Sequence, residues 1–301
     1  MSIMQMLFAI KGAVVSVGNA LFYGGGTTGT TNLVTRIDSC GALVGSETNV
    51  GTTRWNLAGA KVGSNGLFFG GTNTASSTFY NLVTRINSCG ALVGSETNAG
   101  TARPLTSAAT VGSNGLFYGG INGCSCCINT VTRINACGAL VGSQTNVGTS
   151  RGNQSAGATV GSNGLFYANA PGYTNLVTRI NACGALVGSQ TNVGTIRIGL
   201  AGATVGSNGL FYGGYFVGTF RIVTRINSCG ALVGSETVVG SPRGQLAGAK
   251  TTSGTNGIFY AGNNCSTYYN AVTRINSCGA LVGSETNAGT ARRLLAGASG
   301  V

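Results

Sequence analysis

Histidine is absent from the chain, and acidic side chains number only five against 17 lysines and arginines. Without imidazole there is no histidine metal ligand, no imidazole general base and no Ser-His-Asp triad. Five carboxylates leave little material for a Ca²⁺ or Mg²⁺ cage or for the carboxylate pair of a glycosidase. Proline occurs three times and no Gly-X-Y period exists, which excludes a collagen-like rod. Charged residues make up 7% of the chain, where an ordinary domain carries about 25%. Residues 1–10 are apolar but far short of the roughly 20 needed to span a bilayer. Lys11 follows that stretch rather than preceding it, and no cleavage site stands out, so a signal peptide is not expected. What is abundant is glycine, at 53 of 301 residues, together with 10 cysteines. Hydrophobic residues, at 43%, are too many for a disordered chain.

The glycines and arginines recur in register. Val-Thr-Arg-Ile occurs six times, with its arginine at Arg36, Arg85, Arg133, Arg179, Arg225 and Arg274. A second arginine marks each period at Arg54, Arg103, Arg151, Arg197, Arg243 and Arg292. Each period reads as four short strands. In one copy, residues 201–205 form the first strand, and Ser207-Asn208-Gly209 is expected to turn the chain, since Asn-Gly tolerates positive φ. Leu210-Phe211-Tyr212 follows as the second strand and residues 222–226 as the third. Asn227-Ser228-Cys229-Gly230 makes a hairpin, and residues 231–239 carry the fourth strand. A helical reading fails, because glycine every few residues costs about 1 kcal/mol each in a helix. Four strands per period of 40–50 residues predict an all-β, six-bladed β-propeller of four-stranded antiparallel blades. A single domain spans 1–301, with blades at about 11–50, 55–99, 104–147, 152–193, 198–239 and 244–288.

The order of these elements resembles the kelch repeat. Leu116-Phe117-Tyr118-Gly119-Gly120 is similar to the kelch double-glycine strand, and Asn129-Thr130-Val131-Thr132-Arg133-Ile134-Asn135 to its third strand. The fourth strand departs from kelch, with Leu-Val-Gly-Ser where a tryptophan is usual, so packing between blades there must use smaller groups. The resemblance implies a fold and no function. The near-identity of the copies also resembles repeat proteins encoded by phages and large viruses. Residues 12–25 read as a degenerate copy of the first two strands. The tail restarts a first strand within a closing segment at 290–301. That strand has three possible places: beside the first blade, in place of the N-terminal copy, or on another chain.

The copies differ at two kinds of place. One is the loop between the second and third strands, and the other is the connection after the second arginine. Up-and-down blades put both at one end of the disc and the two near-constant turns at the other. Aromatic residues gather in the variable segments: Trp55, Phe79, Tyr80, Tyr173, Tyr215, Phe216, Phe220, Tyr268 and Tyr269. Aromatic side chains give large contact area at low entropic cost, so these nine are candidates for a face that recognises a protein or a glycan. The contrary reading is loop drift without selection.

The twelve repeat arginines face four glutamates, Glu47, Glu96, Glu236 and Glu285, with Gln144 and Gln190 in the remaining two copies. The arginines are therefore expected to tie strands and neighbouring blades together, those without a carboxylate donating to backbone carbonyls, standing in water or binding anions. An anion-binding path is the alternative. Cys40, Cys89, Cys137, Cys183, Cys229 and Cys278 form one equivalent ring and are expected to be free thiols, which suits assembly in a reducing compartment. Cys124, Cys126, Cys127 and Cys265 lie in variable loops; their spacing does not fit a zinc site, and a local or intermolecular disulfide fits them better. Neither a metal nor a cofactor is expected. Propeller oxidases use histidine, which is absent, and sialidases use aspartate among their partners, of which this chain has only Asp38 in a hairpin, so an enzyme is not expected. The chain carries no nucleic-acid motif despite its charge of +12. The resulting expectation is a structural and binding module on a phage or virus particle or other extracellular surface, with virion subunits as further partners. The alternatives are a cellular kelch-type interaction scaffold and an amplified or designed repeat protein with no ligand.

Overall fold

The structure is a computed structural model that describes residues 18–152, 155–168 and 172–301. Its six principal sheets each have four antiparallel strands. Blade 5 shows the pattern: Ala201–Val205, Asn208–Tyr212, Ile222–Ile226 and Thr237–Val238 lie side by side in chain order. The first strands of successive blades meet one another around the axis. This is a six-bladed, kelch-like β-propeller. The first blade is completed by the far end of the chain. Ala296–Ala298 pairs with Ala20–Tyr23, with Leu21 opposite Ala298 and Tyr23 opposite Ala296. The tail thus takes the innermost place in blade 1 and removes an open edge that would invite pairing with another chain. The degenerate first strand read over residues 12–17 lies outside the described residues.

Alternation decides which faces are buried. In each third strand the valine and isoleucine are buried, the threonine is buried on the face towards the preceding blade, and the arginine is half-buried. The second strands are buried throughout because blades press on both of their faces. Their aromatic residues form the blade contacts. Tyr167 meets Phe211 of the next blade with ring centroids 5.1 Å apart, and five equivalent pairs, four tilted and Tyr212–Phe259 edge-on, complete the ring. After the fourth strand, small residues such as Val239 and Ala288 pack against the core. The inner strands pack backbone against backbone. A Cβ on Gly202 would fall well inside van der Waals contact distance of the Gly157 carbonyl oxygen, so no side chain fits there between those strands.

Two local expectations change. The first hairpin turns at Gly206-Ser207, not at Asn208-Gly209, for Val205 pairs with Asn208. Gly206 takes φ of 58° while Ser207 stays out of the left-handed region, the arrangement of a type II′ turn with glycine at its first central position. Asn208 and Gly209 belong to the second strand. The fourth strand is also shorter than residues 231–239. Only Thr237–Val238 forms a ladder, and Leu232 makes an isolated bridge to Ile226. Between them the chain steps around the Arg225 guanidinium: Gly234 has φ of 64°, and a Cβ there would lie 2.8 Å from Arg225 Nη2. The second constant turn is as expected. The Asn227 side-chain oxygen accepts hydrogen bonds from the backbone N–H groups of Cys229 and Ala231 at 3.0 Å.

Candidate functional site

The two arginine rings separate into different chemistry. The second ring is buried, with Arg54, Arg103, Arg151, Arg197 and Arg243 fully so and Arg292 1% exposed. Each member lies where the chain passes between blades. Arg197 donates from Nη1 to the carbonyls of Gly213 at 2.9 Å and Ile222 at 2.5 Å. Its Nη2 donates to the Phe211 carbonyl at 3.0 Å and to the Thr224 hydroxyl. The same guanidinium covers the Tyr167 ring of the preceding blade, 6.0 Å from its centroid. These arginines are interblade ties, and the anion path is not theirs. Four have a glutamate within 4 Å, as in Arg243–Glu285 at 3.2 Å. Arg103 has Gln144 in its blade instead, and burial with no carboxylate pulls its guanidinium down to about 9.

Burial raises the pKa of each of the four glutamates, but hydroxyl hydrogen bonds and the neighbouring arginine outweigh it. The result is titration below the ordinary glutamate range. A carboxyl depressed in the folded state gives stability that is complete above its unfolded pKa of about 4.3 and is lost as pH falls through the lower folded value. The thermal midpoint is therefore expected to be level from pH 7 to about 5 and to fall below about 4. Replacing all four glutamates by glutamine should flatten that acid limb, read by calorimetry across the pH range.

The first ring, Arg36, Arg85, Arg133, Arg179, Arg225 and Arg274, is half-buried. Its side chains make no hydrogen bond or ion pair among the described residues. Each guanidinium lies against a glycine of its own blade, and each stem meets the constant turn of the next blade, as Arg36 does with Gly45 and Gly90. This ring packs at blade junctions without carbonyl contacts.

At the opposite end, the variable loops pair with the incoming connections. Trp55 bridges Thr72, Ile198 bridges Tyr215, Gly244 bridges Asn263 and Arg293 bridges Gly26. Both variable segments are thus on one face. The nine aromatic candidates do not form one surface there. Tyr80, Phe220 and Tyr269 occupy a repeated position whose carbonyl receives the backbone N–H of a buried arginine, and their side chains are half-buried. Trp55 and Phe79 flank Thr72 on blade 2, also half-buried. The candidates that converge are Tyr173, Tyr215, Phe216 and Tyr268, from the loops of blades 4, 5 and 6. Tyr173 and Phe216 are 49% and 48% exposed and meet edge-on with centroids 5.3 Å apart. Burial raises the Tyr215 pKa.

Beside this group opens a cleft of about 360 Å³, lined by Tyr215, Phe216, Val217, Gln245, Asn263 and Arg293 among others. Val217 is 91% exposed. Sequence reasoning missed Val217, Gln245, Asn263 and Arg293. The one signal for Arg293 was the Arg292-Arg293 doublet, which no other connection has.

All ten cysteines are free thiols. The local disulfide expected among the loop cysteines is not formed. The Asn122 side-chain oxygen accepts from the backbone N–H groups of Cys124 and Cys126, and this turn directs the Cys126 sulfur to the Cys124 carbonyl at 3.5 Å. Among the described residues no three His, Cys, Asp or Glu side chains are grouped to hold a metal, and no helix is long and apolar enough to cross a membrane. No family model and no curated protein matches the chain.

Proposed function

We propose that the protein is a non-enzymatic binding module that recognises a protein or glycan through its variable-loop face. The observation that carries this reading is a cleft walled by Tyr215, Phe216 and Val217, with Tyr173 packed on Phe216, at the end of the disc where the copies differ. Exposed aromatic groups beside a concavity are the usual anchors of recognition. Drift alone would scatter small polar residues over that face. A phage or virus particle, or another extracellular surface, is the setting we propose. The near-identity of the six copies supports it, and other particle subunits are then candidate neighbours of the constant face.

The experiment is a binding screen of the full chain on glycan arrays and on intact host cells. The double variant Phe216→Ser, Val217→Ser is expected to lose at least tenfold in binding with an unchanged thermal midpoint. Equal binding by the variant, or no binding by the parent protein on either platform, would remove the reading.

A further inference from the structure

Arg293 is the one arginine in its position. The equivalent residues in the other connections are Trp55, Pro104, Gly152, Ile198 and Gly244. It is half-buried in the wall of the cleft, with its guanidinium over the Tyr268 ring at 5.4 Å from the centroid. Nη1 donates to Gln245 Oε1 at 3.1 Å, and Nε is buried with no hydrogen-bond partner.

No carboxylate side chain of the protein serves this cation. The chain has five acidic side chains. Glu47, Glu96, Glu236 and Glu285 are paired with buried arginines. Asp38 accepts the backbone N–H groups of Cys40 and Ala42 in a constant turn at the opposite end. A partly desolvated guanidinium in an aromatic-walled concavity is a strong site for a carboxylate, because the fork of N–H donors is fixed and water competes poorly there.

The rest of the lining indicates what carries the carboxylate. Asn263 uses its side-chain N–H on the Cys265 carbonyl at 3.1 Å, which leaves its carbonyl as an acceptor. Gln245 uses its carbonyl on Arg293 and an amide N–H on the Tyr215 hydroxyl beside it, which leaves its second N–H as a donor. A site with both donors and acceptors next to aromatic surface suits a polyhydroxylated ring. An acidic peptide side chain would need donors alone. The cleft lies at the small end of ligand pockets, about 300–1,000 Å³.

We propose that this cleft binds an acidic saccharide, with Arg293 taking the sugar carboxylate, Tyr215 and Phe216 packing against the ring, and Gln245 and Asn263 reading its hydroxyls. This deepens the binding-module reading and rests on it.

The test is titration of the full chain with methyl β-D-glucuronide, N-acetylneuraminate, methyl β-D-glucoside and an acidic tetrapeptide, followed by calorimetry and saturation-transfer NMR. One of the two acidic sugars is expected to bind at least tenfold more tightly than the neutral glucoside and the peptide. Arg293→Gln should abolish that preference without moving the thermal midpoint, and Arg293→Lys should retain part of it. Equal affinity for glucoside, equal affinity for peptide, no saccharide binding, or an unaffected Arg293→Gln variant would each overturn the proposal. If cells or proteins still bind through Phe216 and Val217 while the sugars fail, the acidic-saccharide assignment falls and the recognition face stands.

Discussion

Replacing Arg197 by methionine is expected to cost about 3–5 kcal/mol, the penalty for breaking a buried ion pair from one side. The side chain is fully buried and holds the carbonyls of Phe211, Gly213 and Ile222 together with the Thr224 hydroxyl. Methionine fills similar volume but donates nothing, so those acceptors and the Glu236 carboxylate lose their partner inside an interface that admits little water. The same change at Arg103 serves as the comparison. That arginine has no carboxylate within 4 Å, and both its Nε and Nη1 lack partners. Arg103→Met should therefore cost less, about 1–2 kcal/mol, from the lost bonds to the Phe117 carbonyl and Thr132. Denaturant unfolding of both variants measures the difference. Equal losses at the two sites would show that the glutamate contributes nothing to the tie.

Removing residues 295–301 is expected to have the largest effect on the molecule. It takes away the innermost strand of blade 1 and with it Leu295, Ala296, Ala298 and Val301, all buried. The edge of Ala20–Tyr23 would then face the channel unpaired, and the inner strands of blades 2 and 6 would lose the neighbour between them. A loss of about 5 kcal/mol is the scale of deleting several buried side chains at once, and the midpoint should fall by about 10 °C or more. The open edge should also promote self-association, visible by size-exclusion chromatography. A synthetic peptide of residues 292–301 added in trans should restore much of the midpoint. An unchanged midpoint after truncation would mean that the closing strand is dispensable.

These two predictions concern features of very different legibility. The repeat arginines were visible as a count and a spacing, and their structural role followed from the shortage of carboxylates. That only one ring would be buried was not visible. Arg197 and Arg225 both look like cations within β-rich sequence. Arg197 sits where the chain crosses between blades and reaches the carbonyls of Gly213 and Ile222, whereas Arg225 stands within a strand whose backbone groups already pair. The closing strand was legible as a sequence copy, but its partner was not, because pairing depends on where a ring of six returns the chain. The first hairpin shows a smaller limit. Asn208-Gly209 and Gly206-Ser207 are both competent turn pairs, and the cross-strand register of Ala203 with Leu210 selects the second.

Sequence by itself determined the sixfold architecture, because strand length, turn chemistry and glycine placement are local properties and were written six times. It also determined that no imidazole chemistry is available and that carboxylates number only five. Tertiary structure alone decided which variable residues lie together. Phe216, Gln245, Asn263 and Arg293 come from separate parts of the chain, and only the angular order of the blades brings them to one cleft, with Tyr173 packed on Phe216. It likewise decided that the backbone carbonyls of Tyr80, Phe220 and Tyr269 receive the N–H groups of the buried arginines. Burial and proximity around a ring are long-range quantities, and no local pattern in the chain encodes them.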